Sequence, residues 1–315
     1  MSKMGKKLHY REDGTFTIVQ FTDLHWQNGE PGDILTRLLM ERVLEKTSPD
    51  LVIFTGDVIY SDNCTDPRQS FREAVSEVEF RGIPWAAVFG NHDTEHGITR
   101  EELMDVQLEH EYCVSEAGPE ELKGTGNFKL LIQDSGTGKP HHALYLLDSG
   151  SYSEIPNLEG YAWIGRDQID WYTAQSTALK AANDGQPLPS LAFFHIPLPE
   201  YEEVWRKELC YGSKFEGVAS APINSGMFTA MVEMGDVVGT FCGHDHVNDY
   251  RGDLHGISLC YGRASGYQTY GREGFPRGAR VIKLHKGARE FTTEIQLDDG
   301  TVIHEPQPHY PQGME

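Results

Sequence analysis

The sequence predicts an α/β fold built on parallel strands, and three observations lead to this class. Over the first third of the chain, short apolar runs alternate with segments of helical periodicity. Polar residues with metal-binding or acid–base chemistry stand directly after several of the apolar runs. The composition, with 38% hydrophobic residues over 315 positions and no low-complexity tract, is that of an ordinary globular protein. We therefore expect a single domain over residues 1–315.

The first third of the chain predicts a β-α-β-α-β unit. Predicted strands cover residues 16–21, 51–55 and 84–89, and predicted helices cover about 33–46 and 67–81. Strands joined by crossover helices pair in parallel, so these three strands should end at one edge of a sheet.

The second half is less regular but adds further strands, one long helix and a hairpin. The helix is predicted over about 166–182, and Asp299-Gly300 supplies the turn of a hairpin over 291–303. The remaining predicted strands cover residues 127–133, 143–149, 191–194, 237–241, 257–261 and 279–284.

Polar motifs follow the predicted strands at their carboxyl ends. In chain order they are Asp23-x-His25, Gly56-Asp57, Gly90-Asn91-His92-Asp93, His195 and Gly243-His244-x-His246. Open α/β sheets bind ligands at this edge. Taken singly, each fragment fits a turn or a cap; taken together they offer carboxylate, amide and imidazole groups without a thiolate. That donor set suits Mn, Fe or Zn ions.

Charge and composition narrow the classes of partner. Subtracting 48 acidic from 27 basic residues leaves a net charge of −21, which repels the phosphate backbone of long nucleic acids. No run approaches the 18 or so apolar residues that cross a bilayer, and the amino terminus lacks a secretory signal. These features predict a cytoplasmic protein without a membrane partner. The five cysteines, odd in number and scattered, are expected to be reduced.

The five motifs and their order resemble the calcineurin-like metallophosphoesterase superfamily, with D-x-H, G-D, G-N-H-[DE], H and G-H-x-H. The similarity covers about residues 15–285 and leaves a hairpin and tail at about 286–315. Residues 163–171, 243–250, 259–262 and 266–271 resemble the branch of yeast Dcr-type phosphatases and plant proteins named purple acid phosphatases. The resemblance implies a four-layer α/β/β/α sandwich of two mixed sheets flanked by helices.

The resemblance also implies a role for each motif residue. Two divalent or trivalent ions (Mn, Fe or Zn) would be bound, one by Asp23, His25 and His246, the other by Asn91, His195 and His244, with Asp57 bridging them. A shared carboxylate fits the physics, because two cations about 3.5–4 Å apart repel each other unless anions lie between them. A hydroxide bridging the metals would be the nucleophile.

His92 would be the catalytic residue, stabilising or protonating the leaving oxygen; the alternative is a buried loop histidine bonded to backbone. Asp93 either orients a neighbouring imidazole or caps the following turn. Tyr60 stands where purple acid phosphatases have a metal-binding tyrosine, but those enzymes lack the histidine that this chain keeps as His25. A pocket or packing role is therefore expected for Tyr60.

The implied function is hydrolysis of a phosphoric ester, most simply a monoester of a small molecule or a phosphoprotein. Two alternatives stay open: a phosphodiesterase acting on a small substrate, and a non-catalytic scaffold with the same fold.

Three arginines and two histidines outside the motifs are also of interest. Arg166, Arg263 and Arg277 have the geometry to clamp a phosphate, although surface or helix-terminal positions are favoured for each. The pair His141-His142, beside a Gly/Pro-rich segment, is expected in a solvated loop.

Overall fold

The computed structural model describes residues 7–311, which form two facing β-sheets with helices on both outer sides. The six α-helices of these residues are α1 (Pro31–Thr47), α2 (Pro67–Phe80), α3 (Arg100–Glu109), α4 (Arg166–Ala182), α5 (Glu200–Lys207) and α6 (Met227–Met234). The strands are β1 (Leu8–His9), β2 (Thr15–Phe21), β3 (Leu51–Thr55), β4 (Trp85–Val88), β5 (Phe128–Gln133), β6 (Pro140–Leu146), β7 (Ser190–Phe193), β8 (Cys210–Tyr211), β9 (Val237–Cys242), β10 (Arg251–Leu254), β11 (Ile257–Tyr261), β12 (Gly278–His285), β13 (Phe291–Leu297), β14 (Val302–Ile303) and β15 (Pro308–His309).

Both sheets are mixed, and each has a parallel centre. The six-stranded sheet has the order β14-β13-β12-β2-β3-β4, in which β2, β3 and β4 pair in parallel. The nine-stranded sheet has the order β1-β5-β6-β7-β9-β11-β10-β8-β15, with β6, β7, β9 and β11 in parallel. The parallel centres follow from the crossover helices, as the alternating pattern of the sequence predicts.

Three apolar cores separate the layers. Ile18 and Ile53 of the smaller sheet face Leu146 and Phe193 of the larger sheet in the central core. The central parallel strands β2, β3, β4, β7 and β9 are therefore buried on both faces, which explains their continuous apolar runs.

Two outer cores lie between the sheets and the helices. The outer face of the smaller sheet packs on α1 and α2 through residues such as Val19, Leu39 and Phe71. The outer face of the larger sheet packs on α4 and α6 through residues such as Tyr172 and Met231. The layer order is thus α/β/β/α, and the predicted fold class is confirmed.

Three short helices and several short strands are absent from the sequence-based assignment. Helix α3 has a start signal that could have revealed it, since Thr99 and Glu102 form a reciprocal capping box. Helices α5 and α6 have eight residues each, too short for a clear period of 3.6. The predicted hairpin is present, with β13 and β14 pairing antiparallel.

The predicted solvated loop at His141-His142 is wrong for His142. The Gly/Pro-rich segment is only the turn between antiparallel β5 and β6, and β6 already begins at Pro140. His142 is buried, and its Nδ1 forms a hydrogen bond with the Tyr10 hydroxyl. Because successive strand residues point to opposite faces, His141 is the more exposed of the pair.

Cys64, Cys210, Cys242 and Cys260 have free thiols, in agreement with the reduced state that the sequence predicts. Among residues 7–311, no helix combines the length and the apolar character needed to cross a bilayer.

The buried His142 makes stability depend on pH. Burial, with a smaller contribution from His141, lowers the pKa of His142 to about 4, against about 6.5 in an unfolded chain. Between these values the unfolded chain binds a proton that the folded protein does not, so the free energy of unfolding falls as pH drops from about 6.5 to 4. We expect His142 to contribute up to about 3 kcal/mol of this loss.

His142→Asn places an amide oxygen near the position of Nδ1 but does not titrate. Its free energy of unfolding, measured in urea with chelator present, should fall less steeply with pH than that of the wild type. The exposed His255→Asn is the matched control. An identical slope for wild type and His142→Asn would contradict the assignment.

Candidate metal centre

The carboxyl ends of five parallel strands meet at one edge of the molecule. Strands β2, β3 and β4 supply three of these ends from the smaller sheet, and β7 and β9 supply two from the larger sheet. The residues that follow them are Asp23 and His25 after β2, Asp57 after β3, Asn91 after β4, His195 after β7, and His244 and His246 after β9. All seven are buried, and the predicted convergence is present.

The charged and imidazole groups form two clusters that share one residue. One holds Asp23, His25, Asp57 and His246, and the other holds Asp57, His195 and His244. In each cluster the donor atoms lie within 4.8 Å of one another. Asp57 is common to both.

The spacing of donor atoms around Asp57 fits metal coordination. His195 Nε2 lies 3.1 Å from Asp57 Oδ2, and His25 Nε2 lies 3.4 Å from the same oxygen. His244 Nδ1 lies 3.2 Å from His195 Nε2. Two ligands of one ion, each bound at about 2.1 Å, are separated by about 3.0–3.4 Å in tetrahedral or octahedral geometry. The atoms are therefore placed as ligands of common ions.

Several buried donor atoms have no hydrogen-bond partner among the described residues. They include His25 Nε2, Asp57 Oδ2 and Asn91 Oδ1. An unsatisfied polar atom in the interior is costly, and native proteins avoid it unless a ligand or water completes the site. Metal ions between these atoms would satisfy them, so the residues present fit a metal centre.

Hydrogen bonds on the far side of two imidazoles fix their orientation. Nδ1 of His195 donates to the carbonyl oxygen of Thr55 at 2.8 Å, and Nδ1 of His246 lies 2.6 Å from the Thr269 hydroxyl. In each ring Nε2 is thereby directed toward a carboxylate, which is the usual support of metal-ligating histidines.

The guanidinium groups of Arg263 and Arg277 are engaged by other groups of the protein, and that of Arg166 lies in solvent. Arg277 is buried and donates at 2.8 Å to the carbonyl oxygens of Thr269 and Tyr270, so it holds the loop that supports His246. Arg263 is buried against Asp249, while Arg166 is exposed at the start of α4. The expected surface or helix-terminal position is therefore correct for Arg166 and wrong for Arg263 and Arg277.

Both clustered carboxyl groups are held in the ionised form. Burial by itself would raise the pKa of Asp57, but His195 and His25 lower it well below its usual range. Burial likewise opposes ionisation of Asp23, yet His246 and His195 lower its pKa to about 2. The carboxylates of Asp23 and Asp57 are buried in the same cluster and both negatively charged, so they favour the binding of cations.

Burial and the neighbouring carboxylates give the imidazoles of the site different pKa values. Burial lowers the pKa of His25 and lowers that of His244 to about 3, so both rings are neutral near pH 7. For His195 burial is outweighed by Asp57 and Asp23, which raise its pKa to about 9. A cation bound at His195 would replace that proton, which couples metal binding to proton release.

The backbone is strained at the strand ends where these ligands lie. Asp23, His25, Asp57 and His244 all have positive φ, at 53°, 50°, 48° and 77°. Non-glycine residues in this region cost about 1–3 kcal/mol each, and such strain clusters at functional sites. The glycine of the third motif is required for close approach, because a Cβ on Gly90 would lie 2.1 Å from Asp57 Oδ1.

Asp93 does neither of the two things expected of it. Its carboxylate accepts backbone N–H groups of Asp57 at 2.9 Å, Gly90 at 2.7 Å and Ile59 at 2.9 Å. It therefore ties the loop after β3 to the loop after β4. Burial, with the charge of Asp57, raises its pKa to about 6.

His92 lies beside the clusters with part of its ring accessible. Its backbone N–H donates to Asp57 Oδ1 at 2.8 Å, and its ring centroid lies 5.0 Å from that of His25. The side chain is 28% exposed, and Nδ1 lies 2.7 Å from Glu95 Oε2. The alternative of a buried ring bonded to backbone does not fit these contacts. With Nδ1 engaged by Glu95, Nε2 is the ring nitrogen that stays available to another partner.

Glu95 is a site residue that the motif analysis missed. It lies three positions after His92 on a short helical turn, where side chains at this spacing are neighbours. Its second oxygen accepts a hydrogen bond from the Tyr152 hydroxyl, which in turn accepts one from Asn91 Nδ2 at 3.3 Å. The i, i+3 spacing was the available signal.

Tyr60 packs at the side of the site. Its ring centroid lies 5.7 Å from that of His25 and 5.0 Å from that of His92, perpendicular to the latter ring. This is the pocket or packing position that the presence of His25 predicts.

Comparison with known proteins places this geometry in context. A family model described as Calcineurin-like phosphoesterase matches residues 16–248. The chain is 37% identical to "Probable inactive purple acid phosphatase 29" of Arabidopsis thaliana, over 93% of this chain and 85% of that protein. It is 35% identical to "Phosphatase DCR2" of Saccharomyces cerevisiae, over 82% of this chain but 49% of the yeast protein. The predicted branch is thereby confirmed.

Solved structures agree on the fold. A dimetal phosphatase from Danio rerio superposes with a TM-score of 0.57 at 15% identity, covering 88% of this chain and 98% of that chain. GAP50, the anchor in the inner membrane complex of Plasmodium, also superposes with a TM-score of 0.57 at 12% identity, covering 96% of this chain and 91% of that chain. At these identities the likeness concerns the fold alone.

The shared position of Asp57 gives a prediction about metal content. Protein saturated with Mn²⁺ and then freed of excess ion should retain about two ions per chain, read by elemental mass spectrometry. Asp57→Asn should lower occupancy of both positions, because it removes the charge that both clusters share. His195→Ala should retain about one ion.

The exposed Asp170→Asn controls for loss of charge alone. A saturating limit of one ion in the wild type, or two retained by Asp57→Asn, would rule out a carboxylate-bridged pair.

Proposed function

Because the chain belongs to the calcineurin-like phosphoesterase family, we propose that it hydrolyses phosphate monoesters at a centre of two metal ions. The observation that supports this most directly is the pair of buried clusters that share Asp57, with His92 beside them. The proposed substrate is a small phosphorylated molecule or a phosphoprotein.

Each of the seven residues would have one role. We assign Asp23, His25 and His246 to the first ion, Asn91, His195 and His244 to the second, and Asp57 to both. When bound, the ions would supply positive charge for the phosphoryl oxygens and activate the attacking water. The donor set of nitrogen and oxygen atoms suits Mn, Fe or Zn.

His92 would act on the leaving group. With Nδ1 held by Glu95, Nε2 would be the ring nitrogen that donates a proton or a hydrogen bond to the departing oxygen. Partial exposure of His92 leaves room for an ester to approach.

Two other functions compete with this proposal. The plant relatives bear the words "probable inactive" in their names, which favours a non-catalytic scaffold. Against a scaffold, this chain has a donor at every motif position and keeps His92 with its carboxylate partner. A phosphodiesterase with a small substrate would use the same centre.

One assay separates the three functions. Hydrolysis of p-nitrophenyl phosphate and of bis-p-nitrophenyl phosphate is measured with added Mn²⁺ and again with chelator. We expect faster turnover of the monoester, abolished by chelator. Preference for the diester would favour the phosphodiesterase. Turnover of neither ester by protein that retains its metal would favour the scaffold.

His92→Ala should lower kcat without loss of metal, because His92 acts on the leaving oxygen and is not assigned to either ion. A positioned acid contributes about 10²- to 10⁴-fold to the rate. The loss should be larger for an alkyl phosphate than for p-nitrophenyl phosphate, whose leaving group needs less protonation. The comparison requires kcat, metal content and melting temperature for both proteins. Normal kcat with the alkyl ester would refute the role.

Glu95→Gln should reproduce part of that loss through His92. Removing a supporting carboxylate typically costs about 10- to 100-fold in activity. Combined with His92→Ala, the same change should cost no further activity, because Glu95 acts by orienting the His92 ring. Glu154→Gln, an exposed carboxylate paired with Lys123, is the control. If Glu95→Gln lowered the rate as much in the His92→Ala background as in the wild type, Glu95 would not act through His92.

A further inference from the structure

Four tyrosines surround the donor clusters, and the motifs do not account for them. We define Tyr60, Tyr152, Tyr161 and Tyr270 as the aromatic rim. Tyr60 lies on the segment after β3, Tyr152 and Tyr161 lie between β6 and α4, and Tyr270 lies between β11 and β12. Segments that follow strands of both sheets thus place tyrosines beside the donor clusters.

Each ring of the rim touches a residue of the site or another rim ring. Tyr161 meets His244 edge-on at a centroid distance of 4.3 Å, and Tyr270 stacks on His246 at 4.2 Å. Tyr152 stacks on Tyr161 at 5.8 Å. The rings are therefore continuous with the metal ligands.

The rim presents ring surface more than free polar groups. The hydroxyl of Tyr152 donates to Glu95, and that of Tyr270 donates to Glu216 at 2.8 Å. Although these hydroxyls are engaged, Tyr152 and Tyr270 are still 47% and 55% exposed. A ligand that covers this exposed aromatic surface removes it from water, and this burial favours binding.

Adjoining space is available for a group that extends from the rim. A cavity of about 300 Å³ has Tyr152 in its wall, together with Trp163 and Lys123. Tyr152 stacks on Tyr161 and thereby connects this cavity with the rest of the rim.

We propose that the aromatic rim selects phosphomonoesters whose esterified group is aryl, so that its ring packs against the tyrosines of the rim while the phosphoryl group lies at the donor clusters. This inference rests on the proposed function and narrows its substrate class. Offset-stacked and edge-to-face aromatic pairs add a preference of about 2- to 10-fold over an aliphatic ring of similar size.

Binding of non-hydrolysable ligands tests the rim separately from catalysis. Phenylphosphonate and cyclohexylphosphonate are titrated calorimetrically into Mn²⁺-loaded protein, at a pH where both are dianions. We expect phenylphosphonate to bind about 3- to 10-fold more tightly. Tyr270→Leu and Tyr161→Leu should each reduce the ratio toward one while inorganic phosphate binds as in the wild type. Tyr310→Leu, an exposed tyrosine outside the rim, should keep the full ratio.

The outcomes distinguish the rim from the proposed function. Equal affinities in the wild type, or a ratio that both rim variants retain, would overturn the aryl preference even if an alkyl phosphate were hydrolysed. A clear aryl preference without turnover of any ester would support the rim and contradict the proposed function. If Tyr161→Leu fails to fold, the more exposed Tyr270→Leu decides the result.

Discussion

Asp57 is the group on which the rest of the site depends, because a buried carboxylate must be matched by positive charge. Its Oδ2 faces His25 and His195, while its Oδ1 accepts the backbone N–H of His92. The backbone at Asp57 has a positive φ of 48°. The backbone N–H of Asp57 donates to the Asp93 carboxylate, and Gly90 packs closely against the Asp57 side chain. Both contacts stabilise this conformation. Strain, burial and negative charge therefore coincide at one residue, and two cations sharing it would relieve the electrostatic cost.

The sequence could predict the scaffold and the donor set because both follow from strong, local patterns. Apolar runs alternating with helices indicate parallel strands, and parallel strands bring Asp23, Asp57 and Asn91 to one edge. The convergence of His195 and His244 required the second sheet to face the first, which the family resemblance implied and the central core confirms.

The residues that sequence analysis missed depend on contacts between segments far apart in the chain. The Gly/Pro-rich turn before β6 predicts a loop at His142, and no local sequence signal indicates that Tyr10 contacts it. Arg277, Tyr152, Tyr161 and Tyr270 lie on irregular segments without a repeating period, so their positions arise only from packing. Glu95 was closer to prediction, since its spacing from His92 is that of one helical turn.

The most direct test of the account is a titration of metal-free protein with Mn²⁺, following hydrolysis of p-nitrophenyl phosphate at each step. If two ions sharing Asp57 form the centre, activity should rise until about two equivalents per chain have bound and then remain constant. Full activity at one equivalent, or no activity with two ions bound, would contradict a two-metal phosphomonoesterase.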